Sequence, residues 1–365
     1  MKAQKIDKVF LISIVTLALG GFLIFSSASL GLLAASTGAL FSSVTVTQAI
    51  SLFIGFGCFY TASKINHKLW KKYSLYVLLA AIAVNLLLFV PQLTLNHGGA
   101  GRWLKLGPLS LQPSEFLKIG FIVYFAAWLA FVKDKVTTFK MGMLPYLVIV
   151  GILGTLLLVQ SDTFTLLFIV TTGLGMLIAA GGKFSHILYI ILIGAVVVTG
   201  VIFTRPYARA RVMTFLHPAA DAQGAGYQIQ QSLIAIGSGK MFGRGYGQSV
   251  QKFNYLPQPI DDSIFAVEAE EFGFVGSVTL ICLFLLFVFR SFKIATRAPD
   301  LFSRLLVLGI AMLIVIESFA NIAAMLGIIP LSGKPLLFVS HGGTALIIIL
   351  GAVGMIANVS KFQKK

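Results

Sequence analysis

Apolar runs separated by short polar breaks fill this chain almost from end to end. Runs of roughly 18 or more apolar residues read as membrane-spanning helices, and about ten of them can be placed here. They are centred near Val15, Gly55, Ala83, Tyr124, Ile152, Thr172, Gly194, Leu283, Leu313 and Ile348. The runs are continuous rather than alternating, which selects helices over a barrel. Lys2, Lys5 and Lys8 precede the first run as in a secretory leader, but no small-residue cleavage site and soluble domain follow. That run is therefore read as a retained first helix. One polar break is out of scale: residues 204–263 form a long glycine-bearing segment, and long loops tend to carry function.

Composition supports this picture. The chain is 58% hydrophobic and only 11% charged, more apolar surface than a soluble core can absorb. Its net charge of +16 is explained by topology. With the N-terminus inside, 18 of the 28 Lys and Arg residues fall in cytoplasmic segments, among them Lys64, Lys68, Lys71, Lys72, Arg290 and Lys361. An even number of helices returns the basic C-terminus to the cytoplasm. A nucleic-acid partner is not needed to account for the charge. Cys58 and Cys282 lie inside apolar runs and read as small buried hydrophobes. The expectation is one all-α integral membrane domain over residues 1–365. It has about ten helices, both termini cytoplasmic, and a large extracytoplasmic loop at 204–263 between helices 7 and 8.

This topology gathers four segments on the outer face: 96–118, 160–162, 204–263 and 328–343. In the first, Pro113 opens a helix, with Glu115 in its first turn and Lys118 three residues on, on the same face. Capping with an interfacial ion pair and a functional pair are both compatible with that spacing. Trp103 beside Arg102 fits an interfacial anchor. The long loop carries Arg205, Arg209, Arg211, Lys240, Arg244 and Lys252 against Asp221, Asp261 and Asp262. Outer loops normally avoid cations, so this excess points to lipid head groups or to an anionic substrate bearing phosphate or pyrophosphate. The run GSGKMFGRGYG offers backbone N–H groups that would cradle phosphate, although it is not a Walker motif. Asp261 and Asp262 stand just before an apolar run. Local chemistry favours a helix cap there; the alternative is a partly desolvated carboxylate acting as general base.

Four segments together resemble the SEDS family, the FtsW/RodA group of peptidoglycan glycan-strand polymerases. They are GRWLKLGPLSLQPSEFLK, RVMTFLHPAAD with GAGYQIQQSLIAIGSG, GRGYGQSVQKFNYLPQPIDDSIFAVEAEEFGFVG, and NIAAMLGIIPLSGKPLLFVSHGG. The resemblance spans nearly the whole chain. It implies a ten-helix protein of the bacterial cytoplasmic membrane that polymerises lipid II with release of undecaprenyl pyrophosphate. It puts the family's essential aspartate on Asp262, ahead of Ser263, Ile264, Phe265 and Ala266. Candidate substrate-binding residues on the same basis are Arg102, Glu115, Lys118, Asp162, Arg211, Lys240, Arg244, Gln251, Lys252, Lys334 and Ser340. Several positions depart from the family pattern: Gln258 for glutamate, Ile260-Asp261 for histidine-threonine, His341 for tyrosine and Glu317 for glutamine. Glu268 stands where an apolar residue is usual, and Ser161 interrupts a Gln-Pro-Asp pattern. Arg102-Trp103 and the chain length lean towards the division-type (FtsW) branch.

The implied chemistry suits these residues. A carboxylate taking the proton of an acceptor hydroxyl contributes about 10²–10⁴-fold. The leaving pyrophosphate needs charge neutralisation, from loop cations or from a loosely held Mg²⁺ or Mn²⁺. The expected partner is a class B penicillin-binding protein, within a surround of membrane lipid. Two rivals stand beside the enzyme: a lipid II flippase, kept open by Glu317 in mid-run, and a non-catalytic scaffold of the cell-wall machinery.

Overall fold

The structure, a computed structural model, describes residues 5–35, 38–97, 100–106, 109–218 and 224–363. Lys2, Asp221 and the C-terminal Lys364 and Lys365 lie outside the described residues.

Each of the ten apolar runs coincides with a helix. These are α1 (Lys8–Ser29), α3 (Gly38–Lys64), α5 (Ser74–Leu86), α6 (Pro113–Val132), α7 (Leu144–Val159), α8 (Thr163–Ala179), α9 (Phe184–Thr204), α12 (Ile264–Thr296), α13 (Leu301–Met325) and α14 (Gly343–Ser360). Eight of these regions are long and apolar enough to cross a membrane, while Ser74–Phe89 and Thr163–Ala179 are shorter. Among the described residues four further α-helices lie between them: α2 (Leu32–Ala35), α4 (His67–Lys72), α10 (Pro206–Leu216) and α11 (Ala225–Ser238). The protein is a multi-pass membrane protein.

The all-α expectation needs one correction. Thr94–His97, Ala100–Leu106 and Leu109–Leu111 form a three-stranded antiparallel sheet, β1–β2–β3. Leu95 pairs with Trp103 and Leu104 with Leu111. The polar break between α5 and α6 is thus a small platform, with Arg102 on its central strand.

Helices α6, α13 and α14 form the buried centre. α5 packs on α6, α8 on α6 and α13, α3 on α14, and α1 on α12, which in turn packs on α13. The outward residues are apolar: Phe53, Phe131, Phe184 and Val196 are largely exposed. In lipid such side chains need no cover, and packing rather than hydrophobic exclusion joins the helices. α9 buries only Ile187 and Ile190 and stands at the edge, touching α8 and α10.

Both chain ends lie on one face. Asp7 caps α1 through Phe10 N (2.9 Å) and pairs with Arg290 near the C-terminal end of α12 (2.7 Å). The Asp7 N–H also donates to Ser360 Oγ at the end of α14 (3.4 Å). The start of α12, and Asp262 with it, is therefore at the opposite end of the bundle.

The 204–263 segment is ordered throughout its described part rather than open. Its amphipathic α11 buries Ile229, Ser232 and Ala235 against α12. Downstream, α12 breaks at Gly273 (φ 66°, ψ −164°), a backbone conformation that favours glycine. The break frees main-chain groups, and the 240–245 stretch takes them up. Arg244 N and Gly245 N donate to the carbonyls of Glu270 and Glu271 (both 3.0 Å), while Phe274 N and Val275 N donate to those of Lys240 (2.9 Å) and Met241 (3.1 Å). Gly243 N bonds Gly239 O (2.8 Å) and Gly247 N bonds Ser27 Oγ (3.1 Å). The expectation that this glycine run presents N–H groups to phosphate is corrected: these donors are consumed within the fold.

Two neighbouring glycines in α1 test the packing. A Cβ on Gly21 would collide with the Phe338 carbonyl, whereas a Cβ on Gly20 meets nothing within 4 Å. Gly21→Ala should lower the thermal stability of the detergent-solubilised protein by about 1–3 kcal/mol, the usual cost of overpacking. Gly20→Ala should leave it equal or up to about 1 kcal/mol higher, from helix propensity. Equal melting temperatures for the two variants would contradict the α1 packing.

Candidate active site

Asp262 closes the long loop one residue ahead of Ser263, the N-terminal boundary of α12. Neither aspartate caps the helix. The cap position is Ser263, and no side chain bonds the first-turn N–H groups. The cap that local chemistry favoured is therefore absent, and Asp262 is fixed through its backbone instead. The Asn321 side-chain amide donates to the Asp262 carbonyl (2.8 Å) and to the Lys334 carbonyl (2.7 Å), joining the two loops that flank the site. Gln228 on α11 donates to Ser263 Oγ (2.9 Å).

Three cations act electrostatically on the Asp262 carboxyl: Arg211 from α10, Lys334 from the loop after α13, and Arg102 from β2. Burial raises its proton affinity, Asp261 adds to that, and these cations only partly offset it, so its pKa is pushed up to about 6. A carboxylate held there is ionised at neutral pH yet basic enough to accept a proton.

The cations are anchored in two ways. Lys334 Nζ pairs with Asp162 Oδ2 (2.9 Å), and both side chains are buried. Asp162 also caps α8 through Thr165 N (3.3 Å) and Thr165 Oγ1 (2.9 Å). Burial would raise its proton affinity, but Lys334 and Arg102 outweigh that and hold its pKa at about 2. The guanidiniums are held by neutral groups. Arg102 donates to the carbonyls of Gln160 (3.2 Å) and Ser161 (2.5 Å). Arg211 donates to the carbonyls of Leu331 (2.6 Å) and Ser332 (2.8 Å). Both lie over the Tyr207 ring, with Cζ at 5.8 Å and 4.5 Å from its centroid. Carbonyls position an arginine without cancelling its charge, so this pair is a ready anion site.

Glu115 and Lys118 do share a face, but the pair is fully buried rather than interfacial. Lys118 Nζ reaches Glu115 Oε1 (2.9 Å) and, across from α13, Glu317 Oε2 (2.6 Å). Glu317 is thus paired with a lysine inside the bundle, and Lys334 acts on it electrostatically.

Other candidates point elsewhere. Lys252 is buried and bonds Glu271 Oε1 (2.7 Å) and Ser27 Oγ (3.1 Å). Arg244 pairs with Glu270 (3.3 Å), and the Gln251 N–H bonds the same carboxylate (3.2 Å). The expected substrate role for Lys252 is corrected to anchorage of the loop on α12, because its ammonium is buried against Glu271; Arg244 is half-exposed beside Glu270, and Gln251 is tied there through its main chain alone. Lys240 is exposed, and its carbonyl is engaged with the α12 break. Ser340 braces backbone: its hydroxyl donates to the Asp261 carbonyl (2.6 Å) and accepts from Leu336 N (2.8 Å). The structure therefore gathers Asp262, Arg102, Arg211, Asp162 and Lys334, with Glu115, Lys118 and Glu317 buried below. Sequence reasoning missed Asn321 and Tyr207. Asn321 lies four residues after Glu317 on one helix face, and a polar stripe inside an apolar helix is the signal that would have found it.

The arrangement has known counterparts. The FtsW/RodA/SpoVE family model, described as a cell cycle protein, matches residues 7–365. A probable peptidoglycan glycosyltransferase FtsW from Geobacter sp. strain M18 is 39% identical over 313 residues, covering 86% of this chain and 85% of that protein. Stage V sporulation protein E of Bacillus subtilis strain 168 is 35% identical over 315 residues, covering 86% of each. Among solved structures, one chain of a peptidoglycan synthase complex superposes with a TM-score of 0.76 at 24% identity, covering 94% of this chain and 97% of that one. The rod shape determining protein RodA of Thermus thermophilus gives a TM-score of 0.70 at 24% identity, covering 99% and 98%. By the extent of the family match and these identities, this chain belongs to the FtsW/RodA/SpoVE family.

Proposed function

We propose that the protein is a peptidoglycan glycosyltransferase that joins lipid II disaccharide-peptide units, with Asp262 as its general base. The observation that carries this reading is one carboxylate of raised proton affinity in the field of two arginines whose hydrogen bonds, among the described residues, go to neutral carbonyls. In the reaction the acceptor sugar hydroxyl gives its proton to Asp262, and its oxygen forms the new bond to the anomeric carbon of the donor. The bond from that carbon to phosphate breaks, and the electron pair leaves on undecaprenyl pyrophosphate. Arg211 and Arg102 would receive the growing pyrophosphate charge, with Lys334 nearby.

The residues present do not suit a resident divalent ion. Among the described residues no group of three His, Cys, Asp or Glu side chains converges. Asp162 is taken by Lys334, and Asp262 is ringed by cations. A Mg²⁺ or Mn²⁺ would arrive on the pyrophosphate itself.

The membrane is the bacterial cytoplasmic membrane, with both termini inside and Asp262 outside. The shared face of the chain ends and the partition of cations support this. The similarity to FtsW and stage V sporulation relatives favours a division-type role, partnered by a class B penicillin-binding protein. The pairing of Glu317 with Lys118 weighs against a flippase, since the carboxylate is engaged in a buried ion pair rather than facing a pathway.

Asp262→Asn should lower lipid II polymerisation by the purified protein, with its partner present, by about 10²–10⁴-fold. Membrane insertion should stay normal, because burial makes the ionised form costly and the amide relieves it. Polymerisation at the wild-type rate would overturn the assignment. The pH dependence follows from the raised pKa: the base works when ionised, so the rate should fall as pH drops through about 6. An acid limb near the ordinary carboxylate value of about 4 would contradict the burial argument. Arg211→Gln and Arg102→Gln should each cost about tenfold or more in kcat/KM, measured by the same assay.

A further inference from the structure

His341 faces Asp261 in a contact that both backbones build. Its Nδ1 lies 3.4 Å from Asp261 Oδ1. On either side of that contact, His341 N donates to the Ile260 carbonyl (2.8 Å) and Ser340 Oγ to the Asp261 carbonyl (2.6 Å). Gln48 on α3 clamps the same segment from behind. Its amide donates to the Ser340 carbonyl (3.2 Å), and its oxygen accepts from Gly342 N (3.4 Å). Phe25 on α1 stacks on the imidazole with ring centroids 5.8 Å apart and planes at 19°. The backbone pairing keeps residue 341 beside Asp261, and the Phe25 stack sets the plane of its ring. Both side chains are partly exposed, 32% and 40%, so protons reach the pair from water.

We propose that His341 is a positioning residue that sets the proton affinity of the base Asp262 by way of Asp261. This rests on the reading of Asp262 as the general base. The groups acting on Asp262 are Asp261 from its own loop, Arg211 from α10, Lys334 from the loop after α13 and Arg102 from β2. Arginine and lysine side chains supply a nearly constant field around neutrality. Histidine changes charge between about pH 5 and 8. A protonated imidazole at this contact offsets the Asp261 charge, and the repulsion that holds a proton on Asp262 weakens. The base then stays ionised to lower pH than two adjacent aspartates would otherwise allow. The pair extends the working range of the enzyme towards acid.

The test is the initial rate of lipid II polymerisation across the acid limb, using the full-length protein with its transpeptidase partner. The variants are His341→Gln, His341→Tyr, Asp261→Asn, Asp261→Asn with His341→Gln, and Asp262→Asn as control. Either neutral replacement of His341 leaves Asp261 uncompensated, so the acid limb should move up by about one pH unit, the order expected for nearby unit charges at a partly wet site. Asp261→Asn should move the limb down, and adding His341→Gln to it should move it no further. A lower rate with an unmoved limb in both His341 variants marks a structural role and overturns the proposal. An equal His341→Gln shift with and without Asp261 also overturns it, since the effect would not pass through that carboxylate. Wild-type polymerisation by Asp262→Asn defeats the underlying assignment instead, a result separable from the other two.

Discussion

One buried amide sets the geometry of this site. Asn321 spends both hydrogens of its side-chain nitrogen on carbonyls, those of Asp262 and Lys334, and so fixes two loops against the most buried part of α13. The proton transfer proposed for Asp262 needs a hydrogen-bond-length approach, which a carboxylate at the end of an untied loop would hold poorly. The bond ties the main chain of Asp262 and not its carboxyl. Four residues earlier on the same helix, Glu317 grips Lys118 of α6. The two attachments make α13 the reference against which α6, α8 and both loops are held. Removing a partner from either would strand buried polar groups, which costs more than the bonds contribute.

The charge pattern around that frame divides by what anchors each cation. Lysines 118, 252 and 334 are buried against glutamates or an aspartate, so their charge is largely consumed and their role is to fasten segments together. Arg102 and Arg211 are fastened by carbonyls, which orient the guanidinium and leave its charge available. An anionic leaving group senses the second kind far more than the first. The distinction also explains why a loop rich in cations is not uniformly a binding surface. Lys252 and Arg244 pair with Glu271 and Glu270 at the kinked start of α12.

Much of the architecture was legible in the residue pattern. The ten apolar runs, the helix opening at Pro113, the Glu115–Lys118 face and the same-side termini follow from period, length and charge, which act locally or along one element. The register of Asp262, too, came from the linear motif it belongs to. What tertiary structure decided was the fate of groups whose partners are distant in sequence. The glycine run at 237–247 offered N–H groups on paper, but a break at Gly273 about thirty residues on absorbs them, and no local rule announces that exchange. Asp261 and Asp262 looked like caps, yet the helix starts without one and the loops on either side take charge of their backbone. Asn321 shows only as part of a polar stripe with Glu317, and Tyr207 carries no local signature of its task, because an amide or a ring acquires one from what packs beside it. Sequence alone therefore determined that this chain crosses a membrane many times and which family it resembles; packing alone decided which of its charged side chains are spent in buried ion pairs and which are held by carbonyls, because desolvation and pairing are properties of neighbours brought together by the fold.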